Sequence, residues 1–131
     1  MFLFVEDNGM DVAMAASLLT RLGVRDSRVV DTAGKAMDFL EQVESGEVSA
    51  PEAVIIDLLL RAGSGQDVMR FMRGREGLKQ IPVLVWTVVA DELTHRICMT
   101  MGAREVLVKS RRAQELREAL LRLRGLPPMS A

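Results

Sequence analysis

Five polar side chains in this sequence each follow a short apolar run, and together their types suit one piece of chemistry. Asp57 closes Val54-Ile55-Ile56, Glu6 and Asp7 close Phe2–Val5, Thr87 closes Val83–Trp86, and Lys109 closes Val106–Val108. Each is ordinary alone, since an acid after an apolar strand also serves as a turn former or helix cap. At one place they would supply three carboxylates, a hydroxyl and an ammonium. Crowded carboxylates repel, so a hard cation is needed to keep them ionised. Mg²⁺ meets that need, because it takes one or two carboxylates, keeps several waters and completes its shell from a phosphate.

The order of elements brings these positions together. Continuous apolar runs such as Val54–Ile56 and Val83–Trp86 read as strands buried on both faces of a parallel sheet. Arg28–Val30 is a thinner run that suits an edge. Helical periodicity separates the strands. Asp11 opens or caps a helix with Val12, Ala15, Ala16, Leu19 and Leu22 inward, and Gly23 ends it. Thr32 starts a second with Ala36, Phe39, Leu40 and Val43 inward. A third starts near Gly65 and carries Val68, Met69 and Met72. Asp91 or Glu92 opens a fourth, with Leu93, Ile97 and Met101 at i, i+4, i+8, ended by Gly102. The fifth runs from about Arg112 to Arg122 with Leu116, Ala119, Leu120 and Leu123 inward. Five β–α alternations imply an α/β fold: one doubly wound, five-stranded parallel sheet with helices on both faces. Open sheets of this kind expose their functional edge at the strands' carboxyl ends, where the five polar residues fall.

Composition agrees with one domain of 131 residues, 49% apolar and 27% charged. The domain is expected over 1–124, with Gly125-Leu126-Pro127-Pro128 opening a tail or linker over 125–131. No apolar run approaches the roughly 20 residues that span a bilayer. The start, Met1–Val5, lacks a basic segment and is not read as a signal peptide. A single cysteine, Cys98, fits a reducing cytoplasm. Residues 1–60 hold eleven acids and four bases, whereas residues 104–124 hold seven bases and three acids. The acidic half favours a cation. The basic stretch lacks interleaved aromatics, so it reads as a solvated face or one for an acidic protein surface, not for nucleic acid. His95 reads as solvated or partner-facing, Cys98 as packing and the methionines as core filling. Gly63-Ser64-Gly65 lacks the lysine and spacing of a phosphate-binding P-loop.

Val5-Glu6-Asp7-Asn8, Asp57 with Gly65 eight residues on, Ile81-Pro82-Val83 leading to Thr87, and Gly102-Ala103 leading to Lys109 carry a family likeness. Over nearly its whole length the chain resembles a response-regulator receiver domain of two-component signalling. The resemblance implies a flavodoxin-like strand order, 2-1-3-4-5. It implies that Asp57 is the phosphoacceptor, a carboxylate nucleophile towards a phosphohistidine. Asp7 and Asp57 would ligate Mg²⁺, with Glu6 helping through water and Leu59 offering its backbone carbonyl. Lys109 and Thr87 would bind the phosphoryl group, whose added charge would reshape the face of helix four, strand five and helix five. Implied partners are a sensor histidine kinase or phosphotransfer protein and a downstream target or output domain, with a homodimer through that face allowed. Neither nucleic acid nor membrane is expected to be bound directly.

Four positions depart from the family's usual choices. Arg61 and Ser110 replace prolines, Val106 replaces the switch aromatic, and Val88 replaces a small residue after Thr87. A trans bond before Ser110 is expected, because a non-proline cis bond costs about 3 kcal/mol. The bulk of Val88 and the apolar Leu59 suggest slow self-dephosphorylation. The departures keep a second reading open, an interaction module that works without phosphorylation. An aspartate-nucleophile phosphatase is disfavoured by Leu59, which stands where such enzymes carry a second acid.

Overall fold

The computed structural model describes residues 1–110 and 112–124. Strands and helices alternate as β1 (Phe2–Val5), α1 (Gly9–Arg21), β2 (Ser27–Val30), α2 (Ala33–Glu44), β3 (Ala53–Ile56), α3 (Gly65–Arg73), β4 (Val83–Thr87), α4 (Glu92–Thr100), β5 (Glu105–Val108) and α5 (Ala113–Leu123). The sheet order is β2-β1-β3-β4-β5, and every pairing is parallel. The tail expected over 125–131 lies outside the described residues.

Side chains alternate across a strand, so the sheet divides the core in two. Leu3, Val5, Val54, Ile56, Val83 and Val85 pack with α2, α3 and Cys98 on one face. Phe2, Phe4, Ile55, Leu84 and Trp86 pack with α1 and α5 on the other. All residues of β1, β3 and β4 are buried, as continuous apolar runs require, whereas β2 is largely exposed at its edge. Burying each large apolar side chain contributes about 1.5–3 kcal/mol, a gain shared between the three central strands and the helices that cover them.

Caps fix where the helices begin. Asn8, not Asp11, caps α1, its side chain accepting from the amides of Met10 and Asp11. Thr32 caps α2, Asp91 caps α4, and Ser64 with Asp67 forms a capping box at α3. Gly65 is confined by the close approach of α3 to β3. A Cβ there would lie 2.3 Å from the Asp57 carbonyl oxygen and 2.6 Å from Ile56 Cγ2. Gly23 (φ 75°) and Gly102 (φ 105°) take the left-handed conformation that ends α1 and α4.

Three further expectations need correction. In α1 the buried residues are Ala15, Leu18 and Leu19, while Ala16 is exposed. In α4 only Cys98 is buried, and Leu93 (67% exposed) and Ile97 (41%) face outward, with Met101 partly buried against the core. Helical spacing says which residues share a face, not which way it points. The methionines also divide, Met69 and Met72 lying in the core and Met10 and Met99 on the surface. His95 is exposed, Trp86 is core, and no cis peptide occurs among the described residues.

Candidate acidic site at the carboxyl edge of the sheet

The main chain sets the site before any side chain acts. Asp57 N–H donates to the Val5 carbonyl (3.0 Å) and Glu6 N–H to the Val30 carbonyl (2.9 Å), extending two ladders one residue past the strands. Lys109 N–H likewise donates to the Thr87 carbonyl at 2.7 Å. Among the described residues, the buried polar side chains are Glu6, Asp57 and Thr87, all at this edge. Burying a polar group is costly unless it is paired, so three at one place require compensation.

Lys109 supplies most of it. Its ammonium donates to Asp57 Oδ2 at 2.8 Å and to Asp11 Oδ2 at 2.7 Å. Glu6 Oε2 lies 2.7 Å away, close enough for an ion pair but out of line for a hydrogen bond. That oxygen is therefore buried without a hydrogen-bond partner among the described residues. Asp57 Oδ1 accepts from the Leu59 amide (3.1 Å) and Glu6 Oε1 from the Asn8 amide (3.1 Å). Lys109 Nζ also stands over the Trp86 ring, 5.1 Å from its centroid.

The electrostatics follow from burial and partners. Burial pushes the Glu6 carboxyl up to about 7; the ammonium of Lys109 beside it opposes the rise and the charge on Asp57 adds to it. For Lys109, burial works against the charge, but Asp11, Asp57 and Glu6 outweigh it and hold the ammonium above its ordinary value.

Carboxylate oxygens from Glu6, Asp7 and Asp57 all lie within 4.8 Å of one another. This donor set, hard oxygens only with one buried oxygen unsatisfied, suits Mg²⁺ better than a soft transition metal. Asp7 is exposed, leaving one side of the cluster open to solvent. Thr87, buried at the end of β4, accepts a 3.3 Å bond from the Val89 amide. Leu59 is on the surface, 56% exposed, in the loop between β3 and α3.

The structure thus brings Glu6, Asp7, Asp57 and Lys109 together and sets Thr87 on the strand beside Asp57. Sequence reasoning missed Asp11, which reaches Lys109 across 98 residues. Its nearness to Glu6-Asp7 was the available signal, but an acid in a helix's first turn already has a reason to be there.

Comparison with known proteins agrees with this fold. Residues 2–121 match the response regulator receiver domain. The two-component response regulator ORR1 of Oryza sativa subsp. japonica is 29% identical over 129 residues, covering 96% of this chain and 54% of its own length. The chain therefore spans about half the length of that relative. The probable methanogenesis regulatory protein FilR2 of Methanothrix harundinacea is 29% identical over 119 residues, covering 90% of this chain and 77% of that one. Among solved structures, the receiver domain of the Pseudomonas aeruginosa PAO1 sensor histidine kinase PA1611 has magnesium coordinated in its active-site cleft. It superposes with TM-score 0.77 at 26% identity, over 95% of this chain and 96% of that one. The phosphorylated cyanobacterial phytochrome response regulator RcpA gives TM-score 0.80 at 25% identity, over 95% and 88%. By sequence and by fold, this chain belongs to the response regulator receiver domain family.

Proposed function

We propose that residues 1–124 form a phosphorylatable receiver domain that takes a phosphoryl group on Asp57 from a histidine kinase or phosphotransfer protein. The observation that carries this reading is the buried Asp57 carboxylate held by Lys109 inside a three-acid cluster that contains an unsatisfied oxygen. In the reaction an Asp57 oxygen attacks phosphorus, the P–O bond forms as the P–N bond of the phosphohistidine breaks, and imidazole leaves with the electron pair. Phosphoryl transfer asks for positioning and for neutralisation of spread charge. Mg²⁺ held by Asp7, Asp57 and Glu6, with the Leu59 carbonyl, would supply part of that neutralisation. Lys109, already on Asp57, supplies the rest by passing to a phosphoryl oxygen, and the Thr87 hydroxyl donates to the same group.

Output follows from a charge arriving beside Thr87. Drawing its hydroxyl inward disturbs the Val89 bond, and with it residues 88–91 and the start of α4. The face of α4, β5 and α5 exposes Leu93, Ile97 and Val108, which suits binding of a downstream protein, an output domain or a second copy. The domain acts as a cytoplasmic switch with at most slow self-dephosphorylation. No helix among the described residues is long and apolar enough to cross a membrane.

A second reading, an interaction module indifferent to phosphorylation, is favoured by Val106 at the switch position and by the exposed apolar face of Leu93, Ile97 and Val108. Trp86 beside Lys109 separates the two. Its fluorescence is followed while Mg²⁺ and then beryllofluoride are added. The switch responds to both and the module to neither. Steady turnover of phosphate esters would instead reveal an enzyme.

A further inference from the structure

Lys109 has three anionic partners, and one stands apart from the carboxylate cluster. Glu6 and Asp57 belong to the group whose oxygens converge with those of Asp7. Asp11 does not, yet its Oδ2 accepts from Lys109 Nζ at 2.7 Å. We propose that Asp11 is the positioning residue for Lys109, the counter-ion that keeps the ammonium at the site once Glu6 and Asp57 are given over to a cation and a phosphoryl group. This rests on the phosphoacceptor reading of Asp57 and deepens it.

Two cations cannot share the same oxygens without mutual repulsion. When a divalent ion takes Glu6 and Asp57, Lys109 loses hold on both and is pushed away by the ion's charge. Asp11 is then the one anionic partner of the three that still holds the ammonium where it stands, above the Trp86 ring. Its side chain is 25% exposed, against 2% for Glu6 and 6% for Asp57, so water reaches it while the buried acids change partners. A lysine stem is flexible and its charge strongly hydrated, so an untethered ammonium would turn towards water. Asp11 also adds negative charge near the cluster, which aids the cation directly.

The plain alternative is that Asp11 only complements the N-terminus of α1, an effect confined to helix stability. Trp86, whose ring centroid lies 5.1 Å from Lys109 Nζ, distinguishes the two, because a displaced ammonium changes the electric field at the indole. Wild type, Asp11→Asn and Asp11→Glu of the full chain are compared by metal-free Trp86 emission, by Mg²⁺ titration and by single-turnover phosphorylation from acetyl phosphate at saturating Mg²⁺. Asp11→Asn is expected to shift the metal-free emission, weaken Mg²⁺ binding about three- to tenfold and slow the saturated rate, with Asp11→Glu restoring most of each. Should Asp11→Asn not fold, Asp11→Ser is read in the same way. Wild-type emission and Mg²⁺ affinity in a folded neutral variant would overturn the assignment alone. A wild type that ignores both Mg²⁺ and acetyl phosphate would overturn it together with the reading beneath it.

Discussion

Replacing Lys109 by methionine keeps the length of the stem and deletes the charge on which the site depends. In the metal-free protein this strands Glu6 and Asp57, whose side chains are 2% and 6% exposed. Asp11 is better solvated and adds little. Removing one partner of a buried ion pair costs about 3–5 kcal/mol. In a chain of this size 1 kcal/mol corresponds to roughly 3–5 °C, so at pH 8 the melting temperature should fall by roughly 10–20 °C. Two additions should reverse the loss. Protons relieve Glu6, which sits at about 7 even with Lys109 beside it, so the deficit shrinks at pH 6. Mg²⁺ at a hundredfold excess over its Kd returns about 2.7 kcal/mol. Circular dichroism melts of wild type and Lys109→Met at both pH values, with and without Mg²⁺, measure all of this. A variant within about 1 kcal/mol of wild type at pH 8, or one insensitive to pH and Mg²⁺ alike, would refute the claim that Lys109 neutralises buried acids.

Other expectations follow from the same geometry. The Glu6 carboxyl is raised from its ordinary 4.5 to about 7, so its contribution to stability is full below 4.5 and lost as pH rises through about 7. Metal-free protein should be less stable at pH 8 than at pH 5, by on the order of 3 kcal/mol at most, and Glu6→Gln should flatten that slope in denaturant melts. Because the ion needs the ionised form, Mg²⁺ affinity by calorimetry should fall about tenfold per pH unit below 7, and a flat profile would remove Glu6 from the site. Gly65→Ala drives a methyl into the Asp57 carbonyl and Ile56, and should cost about 1–3 kcal/mol; a neutral result in urea melts would mean that α3 can shift. Val88, 61% exposed beside Thr87, is expected to slow phosphate loss, so Val88→Ala should hydrolyse its aspartyl phosphate faster, and an unchanged half-life would clear Val88 of that role.

Most of the fold was legible because the central strands are buried on both faces and therefore apolar throughout. Ala53–Ile56 and Val83–Trp86 needed no tertiary information to be placed, and Gly23 and Gly102 marked helix ends by their freedom at positive φ. The polar residues of the site were legible for a related reason, since each closes a strand and the topology brings those ends to one edge. Side-chain direction was harder to read. The Leu93–Ile97 stripe has the period of a core face, but α4 packs through Cys98 and presents that stripe to solvent. Asp11 escaped notice because its partner is 98 residues away and its place at the start of α1 gave it a local explanation. Gly65, legible as the start of a helix but not as a close contact, acquires its reason from the backbone oxygen it lies against.

The central claim is that Asp57 accepts a phosphoryl group because Lys109 and a divalent ion share the neutralisation of one acidic pocket. Incubating the full chain with Mg²⁺ and acetyl phosphate, trapping the acyl phosphate with borohydride and mapping the peptides by mass spectrometry tests it most directly. One reduced residue, at position 57, absent without Mg²⁺ and absent in Asp57→Asn, is the predicted result. A protein that binds Mg²⁺ yet stays unmodified, or carries the label at another acid, would contradict it.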